Sequence, residues 1–166
     1  MGVDYFWKRV PGETIGGATP KDLADLVPDW FDDNFARQQE ARLLVGVEDT
    51  GALIDALLGM GATGTNWEAA ARAFSGSPAN WDDYWMVGTL NTATVGLVAE
   101  FLTAVPVDTW AARHRTDLAD YAGKLGHHRP FDDDWAEQVV SDIRELTGLF
   151  QAAAAARETI ILKIVA

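Results

Sequence analysis

Apolar positions at the two ends of the chain predict β-strands. Val3 to Val10 is rich in β-branched and aromatic residues and stops at Pro11-Gly12, which is typical of a strand followed by a turn. Thr159 to Val165 has a similar composition. Because the chain between them shows mainly helical patterns, we expect both terminal strands to meet in one sheet. Leu43 to Val47 is either a third strand or the end of a preceding helix.

The segments between these strands carry helix caps and helical spacing. Thr19-Pro20 offers an N-cap followed by proline at the first helical position. Thr65 and Glu68 form a capping-box pattern that opens a helix to Phe74. Further helices are predicted from Asp49 or Thr50 to Leu58, from Asn91 or Thr92 to Val105, near Trp110 and from Asp117 to Lys124. A helical turn set is also predicted at Trp30, Phe31 and Phe35.

The last predicted helix has the clearest pattern. Asp134 and Glu137 repeat the capping-box spacing, and Asp132 and Asp133 add charge that is favourable at a helix N-terminus. Apolar residues then recur at helical steps and predict a buried stripe, which consists of Trp135, Val139, Ile143, Leu146, Phe150 and Ala153. The predicted fold is therefore α+β: one domain over residues 1–166, with several helices on a small mixed or antiparallel sheet that includes both terminal strands.

Composition narrows the classes of function. The chain has 166 residues, of which 48% are hydrophobic and 23% charged, as in one globular domain. It has no cysteine, which excludes disulfides, thiolate metal sites and cysteine nucleophiles. Its 25 acidic residues against 13 Lys plus Arg give a net charge of −12. This charge argues against nucleic acids and anionic membranes. It would attract a basic partner, or it serves solubility alone.

The longest apolar stretches do not predict a membrane span. Thr159 to Val165 is too short, and Val95 to Val107 is interrupted by charge. The first residues have an early acid and no basic region before an apolar run, so they do not predict a signal peptide. We therefore expect a cytoplasmic protein.

One glycine pattern resembles a cofactor motif. Gly59 to Gly64 matches G-x-G-x-x-G, whose glycines let a backbone approach a pyrophosphate at a helix N-terminus. The segment before it is predicted to be helical, whereas the motif requires a preceding strand. We expect a flexible turn here, with no bound cofactor.

Histidine and aspartate come together before the last helix. His127-His128-Arg129 precedes Asp132-Asp133-Asp134. One imidazole with one or two carboxylates could hold a metal, or a histidine could act as a base oriented by an acid. Alternatively the aspartates cap the helix and the histidines lie in the connecting loop. We expect no metal site and assign no catalytic residue.

Seven tryptophans are many for this length. Trp81 and Trp85 bracket Asp82 and Asp83, and such aromatic faces with carboxylates could bind a sugar or a cationic group. Large aromatic residues more often fill a core. The tryptophans on predicted elements are expected to be buried: Trp7, Trp67, Trp110 and Trp135.

Several segments together resemble the YfbM-like family, a family of small bacterial proteins of unknown function. They are the opening Met1-Gly2 with a strand ending at Val10, the tryptophan helix to Phe74-Ser75-Gly76, the helix pair from Thr92 to Leu102 and Pro106 to His114, and the last helix and strand from Trp135 to Val165. The resemblance implies a shared fold. It supplies no catalytic residues, and His127-His128-Arg129 stands where relatives tend to have an aromatic-proline turn.

Three functions remain open. The first is an acidic interaction protein, for example of the immunity type, that binds a basic protein partner. The second is a small-molecule binding module with a Trp-lined cleft. The third is a small enzyme centred on His127 or His128. The candidate binding residues are Trp81, Asp82, Asp83, Trp85, His127, His128, Arg129 and Asp132.

Overall fold

The computed structural model describes residues 2–75, 80–127 and 129–166. The strands are β1 (Asp4–Val10), β2 (Leu44–Val47), β3 (Val87–Leu90) and β4 (Thr159–Val165). The α-helices are α1 (Pro20–Leu26), α2 (Phe35–Glu40), α3 (Gly51–Gly61), α4 (Asn66–Ser75), α5 (Thr92–Ala104), α6 (Val107–Arg113), α7 (Arg115–Lys124) and α8 (Asp133–Ala156). A short 3₁₀ helix at Gly12–Ile15 follows β1.

The four strands form one antiparallel sheet in the order β2-β1-β4-β3. β1 and β4 pair along their full length, from Asp4 opposite Val165 to Val10 opposite Thr159. The prediction of an α+β fold with both terminal strands in one sheet is therefore confirmed. β2 is a strand and not the end of a helix. β3 escaped prediction because its sequence, VGTL, is short and has no clear alternation of apolar and polar residues.

The sheet has helices on both faces because successive side chains of a strand point to opposite sides. On one face Phe6 of β1 packs with α1, α2 and Trp30. On the other face the indole of Trp7 is fully buried beneath α3 to α8 and donates its Nε1–H to the carbonyl of Ala73. β2 and β3 form the two edges of the sheet, and β2 lies beside α2 and α8.

Helix α8 crosses the larger helical layer and its predicted apolar stripe is buried. All six stripe residues are at most 4% exposed, from Trp135 at the start to Ala153 near the end. The predicted cap at Asp134 is wrong. Asp132 is the N-cap, because its extended backbone lets its side-chain oxygen accept the backbone N–H of Trp135 at 2.9 Å. Asp134 already lies within the helix.

Several local expectations are corrected by the packing. The helical turn set predicted at Trp30, Phe31 and Phe35 is not one helix, because α2 starts only at Phe35 and Phe31 is 95% exposed. Trp67, which was expected to be buried, is 56% exposed. The expected flexible turn is helical as far as Gly61. Glycine at position 61 has a steric role: a Cβ built on it would lie 2.1 Å from the Trp110 ring, so glycine lets this indole, expected to be buried and in fact half-buried, pack on α3.

No single helix in the described parts of the chain is long and apolar enough to cross a membrane. Helices α5 and α6 reach the required length and composition only when taken together, and they are bent by 68° with respect to each other.

Two helical glycines should respond to alanine in opposite ways. A Cβ on Gly51 would lie 2.2 Å from the Tyr5 ring, whereas a Cβ on Gly96 in α5 meets nothing within 4 Å. We expect Gly51→Ala to lower the free energy of unfolding by about 1–3 kcal/mol through overpacking. Gly96→Ala should raise it by up to about 1 kcal/mol. Urea denaturation would measure both, and a loss of stability at Gly96 equal to that at Gly51 would contradict the packing described here.

Candidate functional site

A cavity of about 590 Å³ lies beside the β2 edge of the sheet. Its walls come from the segment before α2, from the end of β2 and the start of α3, and from the first half of α8. Five carboxylic residues line it, and we call it the acidic pocket: Glu48, Asp49, Asp134, Asp142 and Glu145. Its volume lies in the range of small-ligand sites in proteins.

One wall of the acidic pocket is the indole of Trp30. Its Nε1–H donates to a carboxylate oxygen of Asp4 at 2.8 Å, which fixes the ring in place. The ring lies directly over Gly46 of β2, where a Cβ would approach it to 2.7 Å. Glycine at this strand position therefore allows Trp30 to lie against the sheet edge.

Trp135, in the first turn of α8, also borders the acidic pocket, although only 4% of it is exposed. The Arg129 guanidinium lies 5.5 Å from the centre of this indole, and the His127 ring meets it edge-on at 5.1 Å. Arg129 also pairs with Asp132 at 3.3 Å. The connection between α7 and α8 is thus held against the pocket by cation–π and aromatic contacts.

The buried carboxyl group of the pocket belongs to Asp142, which is only 7% exposed. The Thr50 hydroxyl donates to its Oδ2 at 2.5 Å and the Gln138 amide donates to its Oδ1 at 2.7 Å. Burial raises the pKa of Asp142, and these two hydrogen bonds partly oppose the shift. Burial, followed by the charge of Asp142, also raises the pKa of Glu145.

The balance of charge gives the acidic pocket its chemistry. Five carboxylic residues and one arginine, Arg129, line the pocket, and His127 lies beside them. Carboxylates removed from bulk water attract cations strongly. The cation–π contact that the structure shows is an internal one, between Arg129 and Trp135. Among the described residues, no group of three or more His, Asp or Glu side chains is arranged to hold a metal ion.

The predicted site residues fall into two separate places. Trp81, Asp82, Asp83 and Trp85 precede β3, while the pocket lies at β2 on the opposite edge of the sheet. Three strand spacings, about 14 Å, separate these edges. Asp82 has a structural role: it pairs with Val87 as an isolated bridge, and its carboxylate accepts the backbone N–H groups of the turn that follows.

The remaining predicted residues lie at or beside the acidic pocket. His127 and Arg129 line it, and Asp132 caps α8 next to it. The hydrogen bond from the Trp135 backbone N–H, together with Arg129, lowers the pKa of Asp132. His128 lies outside the described residues. Binding by any of the predicted residues stays a prediction.

Reasoning from sequence missed most of the pocket. Trp30 and Thr50 come from segments whose approach to α8 depends on the whole sheet. A signal was present within α8, because Trp135, Gln138, Asp142 and Glu145 follow one another at steps of three, four and three. This spacing places polar side chains on the border of the buried stripe.

Comparison with known proteins bears on the fold. No family model matches the sequence, and no curated protein matches it. One solved structure is similar over nearly the whole chain: "a Protein of Unknown Function YfbM from Escherichia coli", with a TM-score of 0.60, covering 98% of this chain and 99% of that chain. The chain has the YfbM fold. The resemblance inferred from the sequence is confirmed at that level, and at 12% sequence identity the likeness shows the fold alone.

The burial of Asp142 leads to a prediction about how the stability of the fold depends on pH. The raised pKa of Asp142 means that its contribution to stability is fully present below about pH 4, the range of an unfolded aspartate. This contribution is lost as the pH rises through the raised value. Asparagine does not titrate in this range. The free energy of unfolding of Asp142→Asn should therefore increase relative to that of the wild type as the pH rises. Urea denaturation at about pH 4 and about pH 8 would show this.

The matched control is Asp83→Asn, which changes an exposed carboxyl group at the other edge of the sheet. Its stability relative to the wild type should vary less with pH. A constant difference between wild type and Asp142→Asn at both pH values would refute the account of Asp142.

Proposed function

We propose that this protein is an interaction protein that binds a basic protein partner by holding a cationic side chain in the acidic pocket. The observation that carries the proposal is the cluster of five carboxylic residues in one cavity, of which Asp142 is buried and held by Thr50 and Gln138. A lysine or arginine side chain supplies the charge and the apolar stem that such a lining accommodates.

The charge distribution supports a basic partner. With His127 neutral, five carboxylates and one arginine leave the pocket lining at −4 when all acids are ionised. Arg129 is itself shared with Asp132, which lies outside the lining. The whole chain carries −12, and such a field speeds the approach of a basic protein and disfavours acidic ones.

The proposal includes a cytoplasmic location and a role of the immunity type, in which binding alone is the activity. Its support is the acidic lining of the pocket, which suits a basic partner.

A small organic cation is a second candidate occupant. The pocket volume of about 590 Å³ and the partly exposed ring of Trp30 favour it. The enzyme alternative has less support: in the described part of the chain, His127 contacts the Trp135 ring and forms no hydrogen bond with a carboxylate, the contact that orients a catalytic histidine.

The pocket can be tested with a single cation. The probe is an unstructured glycine-serine peptide with one arginine, and its control replaces arginine by neutral citrulline. Chemical shifts of the seven tryptophan indole N–H groups in ¹⁵N-labelled protein report where it binds. We expect the arginine peptide to shift the Trp30 and Trp135 signals most. The double variant Glu48→Gln/Glu145→Gln should weaken binding on the order of tenfold, because two attracting charges are removed.

The matched control is Glu13→Gln/Glu100→Gln, which removes the same charge from exposed positions outside the pocket. Its affinity should stay within about twofold of the wild type, since distant exposed charges are screened by salt. Equal weakening by both double variants would show that the peptide responds only to net charge and would overturn the proposal. Free arginine and spermidine, titrated in the same way, test the small-molecule alternative.

A further inference from the structure

Exposed apolar side chains are concentrated at one end of the sheet. The strand directions bring the starts of β1 and β3 and the ends of β2 and β4 to this end. Ten large apolar side chains are exposed in the described ranges, and five of them lie here. A cluster of this kind is typical of a contact surface, whereas scattered single residues are not. We call these five the sheet-end patch: Val3, Tyr84, Trp85, Met86 and Val165.

Strand pairing brings the members of the sheet-end patch together. Val165 of β4 stands opposite Asp4, the residue that follows Val3. The N–H of Ile164, next to Val165, donates to the carbonyl of Met86 at 2.8 Å. The patch therefore extends from the start of β1 across the end of β4 to the turn that precedes β3.

The turn before β3 is held in place without a partner. The Asp82 carboxylate accepts the backbone N–H groups of Tyr84 and Trp85 at 3.1 and 2.8 Å. The two rings meet edge to face with their centres 5.3 Å apart, and the Lys21 ammonium lies 5.9 Å from the centre of the Trp85 ring. Tyr84 nevertheless remains 85% exposed. A turn ordered in advance lowers the entropic cost of binding.

The acidic pocket lies at the same end of the sheet. Its residue Asp49 follows β2, and glycine at position 2 lets the chain lie against the Asp49 carboxylate, which a Cβ would overlap. On the other side of Val3, Asp4 accepts the indole N–H of Trp30, which lines the pocket. The sheet-end patch and the acidic pocket therefore adjoin at Val3.

A protein partner needs more surface than the acidic pocket provides. A specific interface covers about 800 Å² on each partner, which corresponds to an area roughly 28 Å across. The four strands from β2 to β3 span only about 14 Å. One interface of ordinary size can therefore cover both the acidic pocket and the sheet-end patch.

The charges around the sheet-end patch favour a basic partner. Asp83 is exposed beside Tyr84 on one side, and the carboxylates of the acidic pocket lie on the other. Lys21 and Lys163, the lysines near the patch, are each paired with an aspartate. An apolar centre with an acidic border is complementary to an apolar surface bordered by Lys or Arg, and it disfavours a second copy of this acidic chain.

We infer that the sheet-end patch is a second contact surface for the basic partner, whose apolar side chains cover Tyr84, Trp85 and Val165 while its cationic side chain occupies the acidic pocket. This inference rests on the proposed function and adds that the partner is recognised by apolar contacts as well as by charge. Its support includes the composition of the patch, because aromatic residues and methionine are enriched in protein interfaces.

The test compares two glycine-serine peptides with one arginine each. The first carries leucines two and four residues from the arginine, toward either terminus in two versions, and the second carries serines instead. Such positions share one face of an extended chain and lie about 7 and 13 Å from the arginine, which spans the patch. Titration of the ¹⁵N-labelled full chain gives both affinities and the indole shifts of Trp30 and Trp85.

The leucine peptide should contact both parts of the interface. We expect one of its two versions to bind about tenfold more tightly than the serine peptide, because its apolar side chains are buried on the patch. That version should shift the Trp85 signal together with the Trp30 signal, whereas the serine peptide should leave Trp85 unchanged.

Two double variants locate the leucines. Tyr84→Gln/Val165→Thr removes apolar groups from the sheet-end patch, and Leu97→Gln/Met60→Gln removes them from exposed positions on α5 and α3, outside the patch. In the first variant the advantage of the leucine peptide should fall to about threefold or less, with the affinity of the serine peptide unchanged. The control should retain the full advantage. Thermal melting checks that both variants are folded.

The outcomes separate the inference from the proposed function. If the arginine peptides bind beside Trp30 but the leucines add nothing, or if both double variants respond equally, the inference is wrong and the proposed function stands. If no arginine peptide binds, both fail. Sedimentation of the full chain alone tests a second copy as the occupant: a dimer that Tyr84→Gln/Val165→Thr converts to a monomer would overturn the inference.

Discussion

The antiparallel pairing of β1 with β4 is the interaction on which the rest of the structure depends. It joins the two ends of the chain through seven residue pairs and forms the centre of the sheet, to which β2 and β3 add one edge each. Phe6 and Trp7, neighbours on β1, then anchor the two helical layers on opposite faces. Without this pairing, the β2 edge and the start of α8 would have no common support, and the acidic pocket would not form.

Sequence patterns that indicate burial predict the observed elements correctly. The terminal strands and the α8 stripe have the period and composition that a buried face requires, and the structure confirms both. Predictions are wrong where a local sequence rule fits two positions or two orientations equally well. Asp132 and Asp134 both precede possible helices, and only the backbone geometry of Asp132 made it the cap. Trp67 has the size of a core residue, yet its helix turns it outward.

The candidate site is harder to predict from the sequence, because its residues come from distant segments of the chain. Trp30, Thr50 and Asp142 approach one another only after the sheet has placed β2 beside α8. The sequence favours the cluster near Trp81 as a binding site, because aromatic and acidic residues are neighbours there. In the structure the Asp82 carboxylate instead accepts hydrogen bonds from the backbone N–H groups of the turn that follows it. Adjacency in sequence was a poor guide to adjacency in space at this site.

A buried carboxyl group in an acidic pocket opposes the stability of the isolated protein. Desolvation raises the pKa of Asp142, and two neutral donors, Thr50 and Gln138, hydrogen-bond its carboxyl group. A cation bound beside Asp142 would favour the ionised form and reverse the penalty. Binding would then stabilise the folded chain in addition to the contacts formed. In these terms, the same desolvation that costs stability in the isolated chain would strengthen the attraction of Asp142 for the basic side chain that we propose.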